Sequence, residues 1–215
     1  MRYIQKKDAP DFFTTETADF NADTNWKELH CKPNLRQHLR QEQQQLCAYC
    51  EGKLEDNNSH IEHIKPQDEN SQHRFDYNNL IVSCNGGEAC CSNNEKNSYD
   101  QLEINSCGHR KSNSFDTDFF LNPVELTDIN NYFDYNHHTA AIIPSTVMPK
   151  KAQYMIDLLN LDNQYLRNSR RNAKFALMRI VKQSNKNPRQ TLNSCLGTSR
   201  PFISFLHASL LSITY

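Results

Sequence analysis

The chain has 215 residues with a formal net charge of −1 at pH 7, and 37% of its residues are hydrophobic. This composition can bury a core, and it excludes both a wholly disordered chain and a protein that coats nucleic acid by bulk positive charge. No apolar run approaches the roughly 18 residues of a membrane span, and the opening residues are polar rather than a secretory signal. We therefore expect a cytoplasmic, globular protein that does not contact membranes.

The N-terminal quarter is predicted to contain one helix. Residues 1–25 show no clear period, so we expect a loosely structured arm there, anchored by Trp26. Leucines at helical spacing between polar residues predict an amphipathic helix over residues 34–46, with Asn34 as its N-cap.

Short elements are predicted in the middle of the chain. Residues 59–64 and 80–83 have the pattern of two strands around a polar loop, which predicts a hairpin. Residues 85–104 are polar and contain two glycines, so we expect an insertion without regular structure.

The C-terminal half is predicted to be mainly helical. Residues 115–149 are expected to be irregular, with a strand over residues 140–143. The strongest helical pattern covers residues 151–183 and is broken into two helices at residues 161–163. An apolar stretch over residues 202–211 predicts a final core or interface helix.

Charge is distributed unevenly along the chain. Residues 51–134 contain 16 acidic and 6 basic residues, whereas residues 150–190 contain 10 basic and 2 acidic ones. An acidic region can still bind nucleic acid where a divalent cation supplies the local positive charge.

The cysteines predict a metal site. Cys47 and Cys50 form a CxxC pair, whose other interpretations are a redox pair or two buried thiols. The expected remaining zinc ligands are Cys84 and Cys107, because each closes a predicted short element. The competing ligands are Cys90 and Cys91.

A second group of candidate site residues lies within and just after the first predicted strand, residues 59–64. Side chains alternate along a strand, so His60 and His63 should face opposite ways. Glu62 and His63 should also alternate, and both can reach one site only at a bend or at the end of the strand. Pro66 makes such an ending plausible.

The series Glu62-His63-Ile64-x-Pro66, then Asn79-Leu80, then a cysteine followed by histidine and basic residues resembles the HNH endonuclease motif. The interleaved cysteines resemble the zinc-containing form of that motif. The resemblance implies the ββα-metal fold, a hairpin followed by a helix.

The resemblance extends along most of the chain. The segments CAYCEGKL, SHIEHIKP, DYNNLIVSC and CGHRKSN, with an arginine-rich helix after DLLNL, resemble the PtuB family of HNH nucleases from Septu-type and retron-associated anti-phage systems. It implies a PtuA-type ATPase as partner and, in retron systems, a reverse transcriptase with its RNA–DNA product.

The resemblance also implies roles for individual residues. His63 matches the general base, Glu62 a ligand of a catalytic magnesium or manganese ion, and Asn79 the residue that braces the loop. His109 is nearest to the final metal-ligand position, with Asn113 as an alternative. In the compact motif that ligand directly follows its cysteine, whereas here Gly108 intervenes.

A basic helical face offers a nucleic-acid contact. Its members recur at i, i+3, i+4 and i+7 and are Arg167, Arg170, Arg171 and Lys174. The interpretations left open are a solvated surface, a phosphate-contacting arm and a docking surface for an acidic partner.

Together these patterns predict a mostly α, α+β fold in which a zinc-stapled ββα-metal module is embedded between helices. The expected parts are an arm and helix (1–46), the module (47–114, with an insertion at 85–106) and a C-terminal region (115–215). The expected function is phosphodiester hydrolysis in DNA or RNA by the toxic effector of an anti-phage complex. The alternatives are a zinc-stapled binding module without catalysis and a thiol oxidoreductase.

Overall fold

The computed structural model describes residues 1–68, 71–87, 99–185, 187–197 and 200–211. The helices in chain order are α1 (Asp11–Thr17), α2 (Lys32–Glu42), α3 (Gln101–Ile104), α4 (Cys107–Lys111), α5 (Pro149–Leu158), α6 (Gln164–Gln183), α7 (Pro188–Cys195) and α8 (Ile203–Leu211). The strands are β1 (Ser59–His63), β2 (Leu80–Cys84), β3 (Phe133–Tyr135) and β4 (Ile142–Pro144). The fold is a mostly helical α+β arrangement with two small antiparallel sheets, β1–β2 and β3–β4.

The predicted central hairpin is confirmed. β1 and β2 pair antiparallel, with Ser59 opposite Cys84 and His63 opposite Leu80. Every residue of β2 is buried, which is why this strand reads as an apolar run rather than an alternating one. The side-chain amide of Gln43 bonds to both the N–H (2.6 Å) and the C=O (2.8 Å) of Val82, which fixes the end of α2 against β2.

The expectation of a loose N-terminal arm is wrong. Residues 11–17 form α1, and Met1, Ile4 and Phe13 are buried in the main core. Ile4 also donates its N–H to the carbonyl of Pro123 at 2.8 Å. Tertiary packing orders this segment, and a search for local periodicity cannot detect it.

The helix predicted over residues 34–46 is displaced toward the N-terminus. α2 begins at Lys32, with Pro33 in its first turn, so Asn34 lies inside the helix rather than at its N-cap. It ends at Glu42 because Gln44 and Gln45 adopt positive φ angles of 54° and 61°, which a right-handed helix cannot accommodate.

The C-terminal helices agree with the prediction over residues 151–183. α5 ends at Leu158 and α6 begins after Asn163, whose side chain accepts the N–H of Leu166 at 2.9 Å. The final apolar helix is α8. α7 was not predicted, although Asn187 caps it and Pro188 opens it, a pair of residues typical of a helix start.

Two predictions about irregular segments need correction. The strand expected over residues 140–143 lies at Ile142–Pro144, where it pairs with β3. Residues 85–104 were expected to lack regular structure, but the segment ends in α3. Residues 88–98, which include the competing ligands Cys90 and Cys91, lie outside the described residues.

The main core surrounds the hairpin and includes the CxxC turn and α5, while a second cluster joins α6, α7 and α8. The N–H of Cys107 donates to the carbonyl of Leu159 at 2.9 Å, so the start of α4 is attached to the end of α5. None of the described helices combines the length and apolarity needed to cross a membrane.

Candidate metal centre and nuclease site

Four cysteines meet between the CxxC turn, the end of β2 and the start of α4. The sulfur atoms of Cys47, Cys50, Cys84 and Cys107 all lie within 4.8 Å of one another, and all four residues are buried. These are the four ligands predicted from the sequence. Their assembly makes a site that could hold a metal ion such as zinc.

The geometry and chemistry of the four sulfurs fit zinc. Zn–S bonds of about 2.3 Å in a tetrahedron give sulfur–sulfur edges of about 3.8 Å, and the Sγ atoms of Cys50 and Cys84 are 3.8 Å apart. Backbone N–H groups point at two sulfurs, from Gly52 to Cys50 and from Cys84 to Cys47, each at 3.3 Å. Such donors stabilise thiolates, which are the form that binds zinc.

The pKa values of Cys47 and Cys107 are shifted by the neighbouring cysteines of the cluster. Burial opposes ionisation of Cys47, but hydrogen bonds from Cys107, Cys50 and Cys84 hold its pKa well below the usual value. The contacts with Cys47 and Cys50 raise the pKa of Cys107. Of these two thiols Cys47 therefore ionises more readily, and a bound dication would favour the thiolate form of its ligands.

A cleft of roughly 400 Å³ opens beside this cluster. Its wall contains Glu62 from β1 and Gly108 from α4, with His60, His63, His109 and Asn113 around them. β1 ends at His63, so the end of the strand brings Glu62 and His63 to one cleft, as the sequence pattern required.

The two carboxylate oxygens of Glu62 have different partners, Lys111 and His60. Its Oε1 accepts a hydrogen bond from the Nζ of Lys111 at 3.0 Å, and its Oε2 lies 3.4 Å from the Nε2 of His60. Burial opposes ionisation of Glu62, but the contacts with His60 and Lys111 lower its pKa below the usual value. The carboxylate is therefore charged at neutral pH.

His63 has one ring nitrogen committed and one available. Its Nε2 lies 3.0 Å from the carbonyl of Arg74, which can only accept, so Nε2 carries the proton and Nδ1 keeps its lone pair in the neutral ring. Burial lowers the pKa of His63 and outweighs the contribution of the Arg74 carbonyl. A neutral imidazole with a free acceptor nitrogen is what a general base requires.

Asn79 closes the loop between the strands. Its Oδ1 accepts the N–H of Lys65 at 2.8 Å, and its Nδ2 donates to the carbonyls of Lys65 and His73 at 3.1 and 3.0 Å. This loop contains Arg74, whose carbonyl orients His63. The amide of Asn79 thus holds both ends of the segment that positions the imidazole.

Three residues that contact Glu62 or His63 were not identified from the sequence. Trp26, expected only to anchor an arm, packs edge-on against the ring of His63 with centroids 4.6 Å apart. Lys111 is 1% exposed and bonds to Glu62. His60 shares the face of Glu62, and its two-residue spacing on a strand was the signal that could have found it.

Two residues were predicted as candidates for the final metal ligand, His109 and Asn113. His109 is exposed on α4, with its ring stacked on that of His60 at 4.6 Å and 25°. Asn113, the alternative, donates to Asp68 at 2.8 Å. Both line the cleft, so their roles as ligands stay predictions.

The basic face of α6 is smaller than the sequence suggested. Arg170 is only 2% exposed, and its guanidinium donates to the carbonyls of Ala140 and Leu161 at 3.1 and 2.7 Å. This corrects its assignment as a nucleic-acid contact, because a buried guanidinium cannot reach a phosphate. Arg167 pairs with Asp162, which leaves Arg171 and Lys174 as the less compensated cations.

Comparison with known proteins adds two relatives. The chain is 27% identical to the "Retron Ec83 putative HNH endonuclease" of Escherichia coli, over 86% of this chain and 83% of the relative. It is 29% identical to the "Retron Vc95 putative HNH endonuclease" of Vibrio cholerae serotype O1 biovar El Tor, over 75% and 74% respectively. No protein-family model matches the chain. These similarities support an HNH endonuclease family.

Proposed function

We propose that this chain is a metal-dependent HNH endonuclease that hydrolyses phosphodiester bonds of nucleic acid. The observation that carries the proposal is the meeting of Glu62 and His63 in one cleft, at the end of a hairpin that packs against four clustered cysteines. The names of the two relatives point to the same activity.

In this proposal His63 activates the attacking water. Its Nδ1 takes the proton, while the bond from Nε2 to the Arg74 carbonyl keeps the ring oriented as the imidazolium forms. Glu62, charged and fixed by Lys111, would hold a magnesium or manganese ion, whose role is to neutralise charge at the scissile phosphate and leaving oxygen. The four cysteines would hold zinc and fix α4 against β2.

Substrate affinity needs a source outside the acidic middle of the chain. The exposed portions of Arg171 and Lys174, with Arg167, supply positive charge for phosphate contacts on α6. We extend the proposal to a PtuB-type effector of anti-phage defence that acts with a PtuA-type ATPase. Because both relatives are named for retrons, the extension includes a reverse transcriptase and its RNA–DNA product as partners.

The direct test is the His63→Ala variant, purified with its ATPase and assayed on double-stranded DNA, single-stranded DNA and tRNA with Mg²⁺ and Mn²⁺. Loss of a general base costs about 10² to 10⁴ in rate, so cleavage should fall at least a hundredfold. The exposed His138, which does not line the cleft, provides a matched His138→Ala control. Unchanged cleavage by His63→Ala, with zinc content intact, would contradict the base assignment.

A zinc-stapled binding module without catalysis is the second candidate. It is favoured by the pairing of both Glu62 oxygens, with Lys111 and with His60, which is also what a structural ion pair would show. This candidate requires that His63→Ala and the wild type bind nucleic acid equally and that neither cleaves it, in the same complex and buffers.

A further inference from the structure

We infer that His60 and Glu62 together form the ligand pair for the divalent cation, and that glycine at position 108 leaves the space which Oε2 of Glu62 and Nε2 of His60 occupy. This inference deepens the proposed function and rests on it for the identity of the cation. It assigns to β1 a ligand that the motif resemblance placed on α4.

The first support is the orientation of His60. Its Nδ1 lies 2.9 Å from the Oδ1 of Asn85. An amide oxygen only accepts, so Nδ1 carries the proton in the neutral ring and Nε2 keeps its lone pair. A metal-binding histidine commonly donates its other ring N–H to such an oxygen, which fixes the tautomer. Nε2 is therefore the nitrogen prepared to ligate.

The second support is the position of Glu62 relative to that nitrogen. Lys111 occupies Oε1, which leaves Oε2 turned toward Nε2 of His60 at 3.4 Å. Adjacent ligands of an octahedral ion with bonds of about 2.1 Å are separated by about 3 Å. A shift of a few tenths of an ångström would bring both atoms into the coordination shell of one ion.

The third support is the space around Gly108. A Cβ placed on Gly108 would lie 2.7 Å from Oε2 of Glu62 and 2.8 Å from Nε2 of His60. Both proposed ligand atoms therefore occupy the space that a side chain at position 108 would need, and glycine leaves that space to them.

Access to solvent is compatible with a cation site. The side chain of His60 is 28% exposed and that of Glu62 is 11% exposed, so both reach the open cleft. The competing interpretation is a plain ion pair between the two, with a ligand supplied by His109, which stacks on His60. The two interpretations differ in which histidine governs cation affinity.

The experiment measures Mn²⁺ binding to the zinc-loaded full chain, using the electron paramagnetic resonance signal of free Mn²⁺. We expect the His60→Ala variant to bind Mn²⁺ at least about tenfold more weakly than the wild type, since even indirect partners of a ligand contribute 10- to 100-fold. His138→Ala should bind like the wild type. Zinc content and circular dichroism check that each variant is folded.

Two further variants address Gly108. Gly108→Ala should weaken Mn²⁺ binding by displacing Oε2 and Nε2, although His60 and Glu62 are both present. Combining His60→Ala with Gly108→Ala should not recover the affinity lost in His60→Ala, because the added Cβ would still lie 2.7 Å from Oε2 of Glu62. Wild-type Mn²⁺ affinity in a folded Gly108→Ala variant would contradict the assignment of these two atoms as ligands.

The outcomes separate this inference from the proposed function. Wild-type Mn²⁺ affinity in folded His60→Ala, or no Mn²⁺ binding by the wild type, overturns the ligand pair. If the wild type also cleaves nucleic acid in that case, the nuclease proposal stands without it. If Mn²⁺ binding depends on His60 and no complex cleaves, the ligand pair stands and the nuclease proposal fails.

Discussion

The cysteine cluster and the neighbouring cleft share the β1–β2 hairpin and α4, but they differ in how far their side chains are exposed to solvent. In the cluster all four side chains are buried and direct their sulfurs inward, with backbone N–H groups as the nearby donors. In the cleft the polar side chains range from buried, as for Glu62 and His63, to exposed, as for His109, and they surround open space. A closed four-ligand site is typical of structural zinc, and an open one is typical of catalytic metal.

The two regions are connected through α4 and the hairpin. Cys107 opens α4 and Lys111 ends it, so one short helix supplies both a cluster sulfur and the ammonium that fixes Glu62. A helix of five residues has little stability of its own. We therefore expect the cleft to form only when the cysteine cluster is intact. The cysteine cluster should form whether or not the cleft residues are intact.

The largest effect is expected from Cys107→Ser. Structural zinc contributes apparent binding energies of about 10 to 16 kcal/mol at neutral pH, which is comparable to the whole unfolding free energy of a typical domain, about 5 to 15 kcal/mol. Loss of one sulfur should release zinc, detach α4 and lower the melting temperature steeply, as measured by metal analysis and thermal unfolding.

Cys195 provides the control for that experiment, because it is a half-buried free cysteine outside the cluster. Cys195→Ser should retain zinc and most of the stability. A Cys107→Ser protein that kept zinc and an unchanged melting temperature would show that the four sulfurs do not act as one site.

A smaller effect is expected from Lys111→Met, which acts on the cleft alone. Lys111 and Glu62 form a buried pair, and removing one partner of such a pair costs about 3 to 5 kcal/mol because the other charge is left uncompensated. Combining Lys111→Met with Glu62→Leu should recover much of that loss. Zinc content should stay constant in both, and chemical denaturation measures the difference.

Zinc release from Lys111→Met would contradict the expectation that the cysteine cluster forms independently of the cleft. The cleft would then support the cluster as much as the cluster supports the cleft.

The difference between the regions also explains what the sequence could predict. The four clustered cysteines were identified because cysteine identity and position in the sequence indicate a metal site directly. The hairpin and the helical break before α6 were found because periodicity and caps are local signals. Glu62 and His63 came together because β1 ends at His63.

Other features depend on packing that local patterns do not encode. Trp26 reaches His63 because Arg74 donates to the carbonyls of Ala22 and Thr24, which fixes the segment before Trp26 near the loop. Arg170 has the spacing of a surface residue but is buried among carbonyls that only the fold assembles. Because such long-range contacts decide which side chains are buried, the spacing of charges along a helix does not predict burial reliably.

Trp26→Ala should have an intermediate effect that is confined to the cleft. The edge-on contact with His63 is worth about 0.5 to 1.5 kcal/mol beyond burial, and its loss frees the imidazole to rotate. We expect nuclease activity to fall several-fold while zinc content stays constant.

Phe119, also partly exposed and paired with Tyr154, offers the matched Phe119→Ala control, because it does not line the cleft. Equal losses of activity in both variants would indicate general destabilisation rather than an effect on His63.

The smallest effect is expected from Tyr49→Phe, at the point where the two regions touch. Tyr49 lies between Cys47 and Cys50 in the sequence, and burial together with the charge of Glu62 raises the pKa of its hydroxyl. The hydroxyl lies near Glu62 but forms no well-aligned hydrogen bond with any described residue. Removing an unsatisfied polar group should leave stability unchanged or raise it by up to about 1 kcal/mol. A large fall in cleavage with stability and zinc content unchanged would instead show that the hydroxyl orients Glu62, and that the cluster acts on the cleft through Tyr49 as well as through α4.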